Sequence, residues 1–379
     1  MKLVRGVGYW LAAVVCSISW VVPVQGTEEA LAPQEAAVEE EGGGAEARVG
    51  GAGVDVEVFG SMALAYDDNV FRYSDADRET FNLNNATRQT QFRHVNHIDD
   101  IVTVPRLGIG LKKTFIDERP TEVSFATTMH LYGADTVKNY EEYEFDLKQR
   151  LGTDLIGRVG YSYTPEFALR NLFDTDQPSG QEYKLATYSR HTLQTSVWHR
   201  FTPIVRGRVG YEAEFKDYNS FFNERDNTSH LWDVTGYFHL TDRLTWVADY
   251  EIGFTDAEAN DDDAAVDPDI ASFQQGFGTH LDVEVLKSLI VRPFYTFSYR
   301  SFTTNNSSAD DRLHRDRNDI RQTLGIRAAY ELSKDGEAYV QWERHANNTD
   351  ISVAAGVSGD TDVLGFDQDV FTVGLTFRL

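Results

Sequence analysis

The stretch Arg206–Lys216, "RGRVGYEAEFK", separates into two interleaved sets: Gly207, Val209, Tyr211, Ala213 and Phe215 against Arg206, Arg208, Gly210, Glu212, Glu214 and Lys216. Alternation with period two describes an extended strand with one lipid-like face and one charged face. The pattern recurs in "RVGYSYTPEF" from Arg158 and in "LTWVADYEIGF" from Leu244.

Around these strands, tight turns at 116–118, 152–153, 202–203, 241–242, 286–288 and 333–335 alternate with longer polar connections at 67–97, 168–181, 219–228, 256–269, 303–315 and 347–365. Only the 134–138 connection on the long side is brief. Strands of ten or more residues joined by alternating short and long connections are the mark of a barrel in a membrane. The expected strands lie near 54–66, 98–115, 119–133, 138–151, 154–167, 182–201, 204–218, 228–240, 243–256, 270–285, 289–303, 316–332, 336–348 and 366–379. The reading is all-β: a transmembrane antiparallel up-and-down β-barrel of about 14 strands with both ends periplasmic. At a strand spacing near 4.8 Å and a tilt near 40°, such a barrel is roughly 28 Å across its backbone, between filled eight-stranded barrels and open porins.

The first 26 of the 379 residues carry Lys2 and Arg5, an apolar run and then Val24-Gln25-Gly26, the pattern of a cleaved signal peptide. Residues 27–53, rich in Glu, Ala and Gly, read as a flexible acidic linker, and 54–379 as the barrel. Beyond the first residues no stretch is apolar enough for a membrane helix. The formal charge of -25 argues against nucleic acid as a partner. Cys16 is the only cysteine, and the valine before it departs from a lipoprotein signal, so neither lipidation nor a disulfide is expected.

Phasing adjacent strands places Lys148, Arg150, Arg158, Arg200, Arg206 and Arg208 on the inner face near the periplasmic mouth, as a basic wall. Farther along, the inner positions become Glu142, Glu144, Glu212 and Glu214, so the wall is expected to change sign. "SVWHRF" can be phased either way, and a slip of one residue would turn Arg200 to lipid. Two uses of the basic cluster stay open. It can line a path for an anion, or it can pair across the lumen with Glu122, Asp282, Glu284, Glu331 and Glu337 as a ladder that plugs the barrel.

Aromatic residues at Tyr161, Tyr163, Trp246, Tyr250, Phe254, Tyr295, Phe297, Tyr299 and Trp342 suit either a membrane-interface belt or cross-strand pairs. Ser189-Arg190-His191 has the spacing of an outward catalytic pair, but no orienting carboxylate or amide is identifiable, so no enzyme is expected. Gly108-Ile109-Gly110 lacks the third glycine of a nucleotide fingerprint and reads as close strand packing. The acidic connection 256–269 lacks the spacing of a calcium loop, and the ten histidines show no zinc spacing, so no metal or cofactor is expected.

The closing "FTVGLTFRL" puts Phe371, Val373, Leu375, Phe377 and Leu379 on one face. With Thr372, Gly374, Phe377 and Leu379 it resembles the C-terminal assembly signal of outer-membrane barrels, although phenylalanine is commonest at the last position. The segment "YDDNVFRY", through Tyr66, Asp67, Asp68, Asn69, Phe71 and Arg72, resembles the opening of an outer-membrane β-barrel porin family associated with exopolysaccharide secretion. Within the strand reading, "YDDN" ends the first strand and begins a long external loop. The resemblance implies an outer-membrane location among its lipids, insertion by the barrel-assembly machinery, and a secretion pore for an anionic polysaccharide or other anionic solute served by periplasmic secretion components. The alternative is a non-conducting structural or surface-interaction barrel whose external loops carry the function, its lumen blocked by side chains or by the first loop folded inward.

Overall fold

The computed structural model describes residues 54–82, 91–116, 119–174, 182–257, 269–304, 314–350 and 365–379. The expected signal peptide and linker lie outside the described residues, as does most of the acidic connection 256–269.

The alternating segments form β1 (Asp55–Asp67), β2 (Asp100–Ile116), β3 (Arg119–Tyr132), β4 (Tyr140–Arg150), β5 (Leu155–Asp174), β6 (Glu182–Thr202), β7 (Val205–Tyr218), β8 (Asn227–Thr241), β9 (Leu244–Ala257), β10 (Ser272–Leu286), β11 (Leu289–Phe302), β12 (Asn318–Ser333), β13 (Gly336–Asp350) and β14 (Phe366–Arg378). They make a closed barrel of 14 antiparallel strands. The seam joins β1 to β14 from Phe59↔Arg378 to Asp67↔Val370, and Leu379 extends it through a pair of backbone hydrogen bonds with Val58. Both ends of the barrel chain therefore lie at the tight-turn end.

Residues directly opposite on neighbouring strands share a face. Along one row, Leu64 pairs with Val373 and Val373 with Val340, and all are more than half exposed. The adjacent Ala63, Ala65 and Val370 are buried. The same outward apolar row continues through Leu107, Phe125, Val159, Val209, Val234 and Leu324. Apolar outside and polar inside is what a hydrocarbon surround requires. The outward rings also bond their polar tips to the next strand, Trp246 Nε1 to Thr279 Oγ1 at 2.8 Å and Tyr250 OH to Gln275 Oε1 at 2.6 Å. Trp232–Phe254 and Phe238–Trp246 lie 5.4 and 5.0 Å apart, so outward rings also pair across strands.

Two expectations are corrected. β5 continues to Asp174, where a loop was expected from 168: register shifts at Thr164/Phe167 and Ala168/Arg170 absorb Pro165, which has no N–H for the ladder, and pairing then resumes. The connection after β1 is not simply polar. It holds α1 (Asp75–Asn82), opened by Ser74 and Asp77, whose side chains cap one another's backbone N–H, and an apolar cluster of its own.

Candidate functional site

At the tight-turn end, register turns all six expected basic residues to the lumen. Lys148 lies opposite Arg158, Arg150 opposite Ile156, Arg208 opposite Trp198 and Arg200 opposite Arg206. Arg200 is thereby phased inward. The row is not a bare positive wall, however. Arg158 bonds both Asp146 oxygens at 2.6 and 2.8 Å, Arg208 pairs with Asp233, and Glu122 lies 3.2 Å from Lys112 and 3.6 Å from Lys148. Arg150 and Arg200 are exposed.

Of the carboxylates expected to pair with the cluster, Glu122 does meet Lys148, from the next strand, while Asp282 and Glu337 pair along the wall. Asp282 binds Arg292 on the next strand, and Glu337 binds Arg327 at 2.8 Å, also on the next strand. Among the described residues these pairs join strands that are neighbours, which leaves the bore free of them. Two rings are held to the wall in the same way. A Cβ on Gly325 would meet Phe294 at 2.2 Å, and one on Gly374 would meet Tyr339 at 2.4 Å, so each ring lies over a glycine of the next strand. Gly108 seats Phe59 likewise, in keeping with close strand packing.

Toward the loop end, Glu142, Glu144, Glu212 and Glu214 face the lumen, but the expected change of sign is not what forms. Arg106 pairs with Glu144 at 2.5 Å, Arg190 lies 3.7 Å from Glu142 and 3.9 Å from Glu214, and Lys216 lies 2.9 Å from Glu214. Gln194 donates to Glu212 at 2.8 Å. The sequence reading put Lys216 on the charged face of its strand but gave it no partner, and it placed neither Arg106 nor Arg190, although each sits on the polar side of its strand. Beside them runs an inner row of rings: His130–Tyr140 at 4.2 Å, Tyr140–Phe167 at 5.0 Å, Phe167–Tyr188 at 5.2 Å and Tyr188–Tyr218 at 5.0 Å.

Above this row, part of the first loop packs against the inner wall. Val70, Phe71, Tyr73, Phe81, Phe92, Val95 and Ile98 of the first loop form a buried cluster that packs on Tyr132 of the inner wall. "YDDN" is part of its attachment and not merely a strand stop. Asp67 accepts Gln368 Nε2 on both oxygens at 2.9 and 2.8 Å, and it accepts the Asn69 N–H at 2.8 Å. Asn69 is fully buried; its amide donates to the carbonyls of Tyr73 (2.8 Å) and Asp367 (3.0 Å) and accepts the Tyr73 N–H. Arg72, at φ 53°, lies over Phe366 of β14. Tyr66 points outward.

On the far side of the loop, Asp100 accepts the N–H groups of Ile101, Gly133, Ala134 and Asp135. Asp135 in turn accepts those of Asn96 at 2.6 Å and His97 at 3.2 Å. Burial raises the Asp135 carboxyl above its ordinary pKa, against these two donors, which lower it. Phe222, from the β7–β8 connection, packs on Leu172 and Ala186, and the His314 ring, before β12, lies tilted against Phe302 at 4.9 Å.

Other expected sites fall as follows. Thr372 and Gly374 face inward, while Phe377 and Leu379 face outward. Ser189 lies opposite Asp217, but the His191 ring bonds the Tyr161 hydroxyl at 2.7 Å and stacks on Tyr163. No group able to hold a metal ion occurs among the described residues.

No family model matches the chain, and no curated protein matches it. Among solved structures it is similar to in-vitro folded OmpT, an outer membrane protein of Vibrio cholerae, with 10% identity over 87% of this chain and 99% of that one and a TM-score of 0.45. The outer membrane channel DcaP of Acinetobacter baumannii has 13% identity over 86% and 98%, TM-score 0.44. An anion-selective porin from Comamonas acidovorans has 10% identity over 86% and 99%, TM-score 0.42.

Proposed function

We propose that the chain is an outer-membrane barrel that passes an anionic solute along the basic wall between β4 and β7. The observation that carries this reading is the charged inner surface at the turn end: its ion pairs run along the wall, and Arg150 and Arg200 remain exposed to the lumen. Charge held against a wall leaves a wet bore, and guanidinium groups facing it favour anions. An anionic polysaccharide delivered by periplasmic secretion components is the cargo that the "YDDNVFRY" resemblance implies. The exposed terminal face of Phe377 and Leu379 is the part the assembly machinery would read. The first loop packed against the inner wall favours a second reading, a barrel that does not conduct steadily.

The test is thiol accessibility. Ser196 faces the lumen opposite Arg158, while Val197 faces outward. Ser196→Cys and Val197→Cys, in a chain whose one native cysteine lies in the expected signal, are treated in lipid nanodiscs with anionic and cationic thiosulfonates. The passage reading expects Ser196→Cys to react, faster with the anionic reagent, and Val197→Cys to stay shielded by lipid. An unreactive Ser196→Cys removes the aqueous passage; a faster cationic reaction removes its anionic character.

A further inference from the structure

We infer that the lumen near the turn end carries a saccharide-binding collar, built from flat aromatic rings that stand beside arginine–carboxylate pairs. The inference rests on the passage reading and deepens it, by naming what the passage holds on to. Three observations carry it: where the rings lie, what they lie on, and what stands beside them.

The rings lie near one level. Phe59, Trp198, Tyr237, Phe294 and Tyr339 are each three to five residues from the turn-end terminus of their strand, on β1, β6, β8, β11 and β13. Their cross-strand partners fix the inward phase: Trp198 lies opposite Arg208, Tyr237 opposite Arg206 and Phe294 opposite Gly325. Phe59, Phe294 and Tyr339 each rest on a glycine of the next strand, so these rings lie along the wall and not across the bore. Phe59, Trp198, Tyr237 and Phe294 are half-buried, which leaves part of each ring to the lumen. Tyr339 is buried, with the Arg327 guanidinium 3.9 Å from its centre. In the loop-end row of rings, by contrast, His130, Tyr140 and Tyr188 are all buried, so the turn-end collar is the more accessible of the two.

Beside the rings stand charges that cancel. Arg106 lies over Phe59 at 5.9 Å and pairs with Glu144, and Arg208 lies over Trp198 at 5.6 Å and pairs with Asp233. Arg327, over Tyr339, pairs with Glu337, and Arg292, two residues from Phe294 on the same face, pairs with Asp282. The side chains of these four pairs are between 15% and 37% exposed, so guanidinium and carboxylate both meet the water of the lumen. A compact anion would face one carboxylate for each of these guanidinium groups and gain little. A saccharide suits each part. Its C–H faces are apolar and pack on ring faces, and its hydroxyls both donate and accept, so each pair offers them an acceptor and a charged donor. A pyranose that also bears a carboxylate would gain the exposed Arg150 and Arg200, which lie closer to the turns.

The experiment is protection of Ser196→Cys in the full barrel in lipid nanodiscs, since Ser196 lies opposite Arg158 and two residues from Trp198. Its reaction with a small neutral thiosulfonate is timed alone and with cellotriose, with a β-1,4-linked triglucuronate, and with tricarballylate, an acyclic tricarboxylate. The expected result is a rate lowered about fivefold by millimolar triglucuronate, less by cellotriose and scarcely by tricarballylate. Phe59→Leu/Phe294→Leu in this background should lose the protection, and Phe59→Tyr/Phe294→Tyr, which keeps the flat rings, should retain it. Resistance to unfolding in detergent gels is checked for both, and the comparison of ligands on the parent rings decides even where a variant does not fold. Tricarballylate protecting as well as triglucuronate overturns the collar. So does a folded leucine variant that keeps full protection, or a reactive Ser196→Cys that neither saccharide protects. An unreactive Ser196→Cys instead marks failure of the passage reading itself, and the collar falls with it.

Discussion

The two halves of the lumen are built from the same alternating strands yet end in opposite states. At the turn end, charged side chains such as Lys112, Arg150, Arg200 and Arg378 stay exposed, and pairs such as Lys112–Glu122 are open to water. At the loop end, Asp67, Asn69, Asp100, Asp135, Arg190, Glu214 and His314 are buried. Strand pattern cannot make this difference, since it is the same along each strand. It comes from the connections: short turns leave the side chains of one end exposed, and loops with apolar residues of their own bury those of the other. A barrel of one wall thus acquires two mouths with different energetics, one where charge is cheap to rearrange and one where each polar group must have its partner.

The sharpest break of this contrast is Asp100→Ala. It strands the N–H groups of Ala134 and Asp135 in a buried site, while that of Gly133 keeps the Ile101 carbonyl, and a loss of about 3 kcal/mol in local stability is expected. Hydrogen exchange should rise over 91–99 and 133–135 while the turn end keeps its protection. Equal loss at both ends would show that the halves are not separable.

Next in size is Gly374→Val, which drives a side chain into the Tyr339 ring. About 2 kcal/mol of stability should be lost in urea unfolding from lipid, and Tyr339→Ala should restore most of it. If the second change restores nothing, Gly374 is needed by the assembly signal and not as a ring seat.

Charge reversal at Arg150 and Arg200 together should slow the anionic reagent at Ser196→Cys about fivefold at low salt, with the difference fading at high salt. An unchanged rate would detach the exposed arginines from selectivity. Smallest is Glu122→Ala, which removes the pairs with Lys112 and Lys148 at the turn end and should cost no more than about 1 kcal/mol. A cost as large as that of Asp100→Ala would erase the distinction between the two ends.

Much of the candidate site was legible before the structure. The inward phase of Lys148, Arg158, Arg206 and Arg208 follows from strict alternation, and even Arg200 fell inward once β6 was paired with β7. What alternation could not supply was the partner of each charge. Arg158 with Asp146 and Arg208 with Asp233 depend on the stagger between strands, which sets which side chains meet, and that stagger is fixed by pairing around the whole ring. Arg106 and Arg190 lay on the polar side of their strands in plain view, yet their roles need neighbours far along the chain, whereas Lys216 meets Glu214 on its own strand.

The first loop shows the limit most clearly. Asp67, Asp68 and Asn69 mark the end of a strand by their chemistry alone. That Asn69 is buried against β14, nearly three hundred positions away (|i−j| of 298 to Asp367), is a result of barrel closure. By itself the sequence determined the class of fold, the strands, and which residues face lipid or lumen, because period-two alternation is local and repeats along the chain. Only the tertiary structure decided which charges pair, that polar groups are buried at the loop end and exposed at the turn end, and what holds the first loop to the wall, because each of these depends on side chains brought together by closing β1 onto β14.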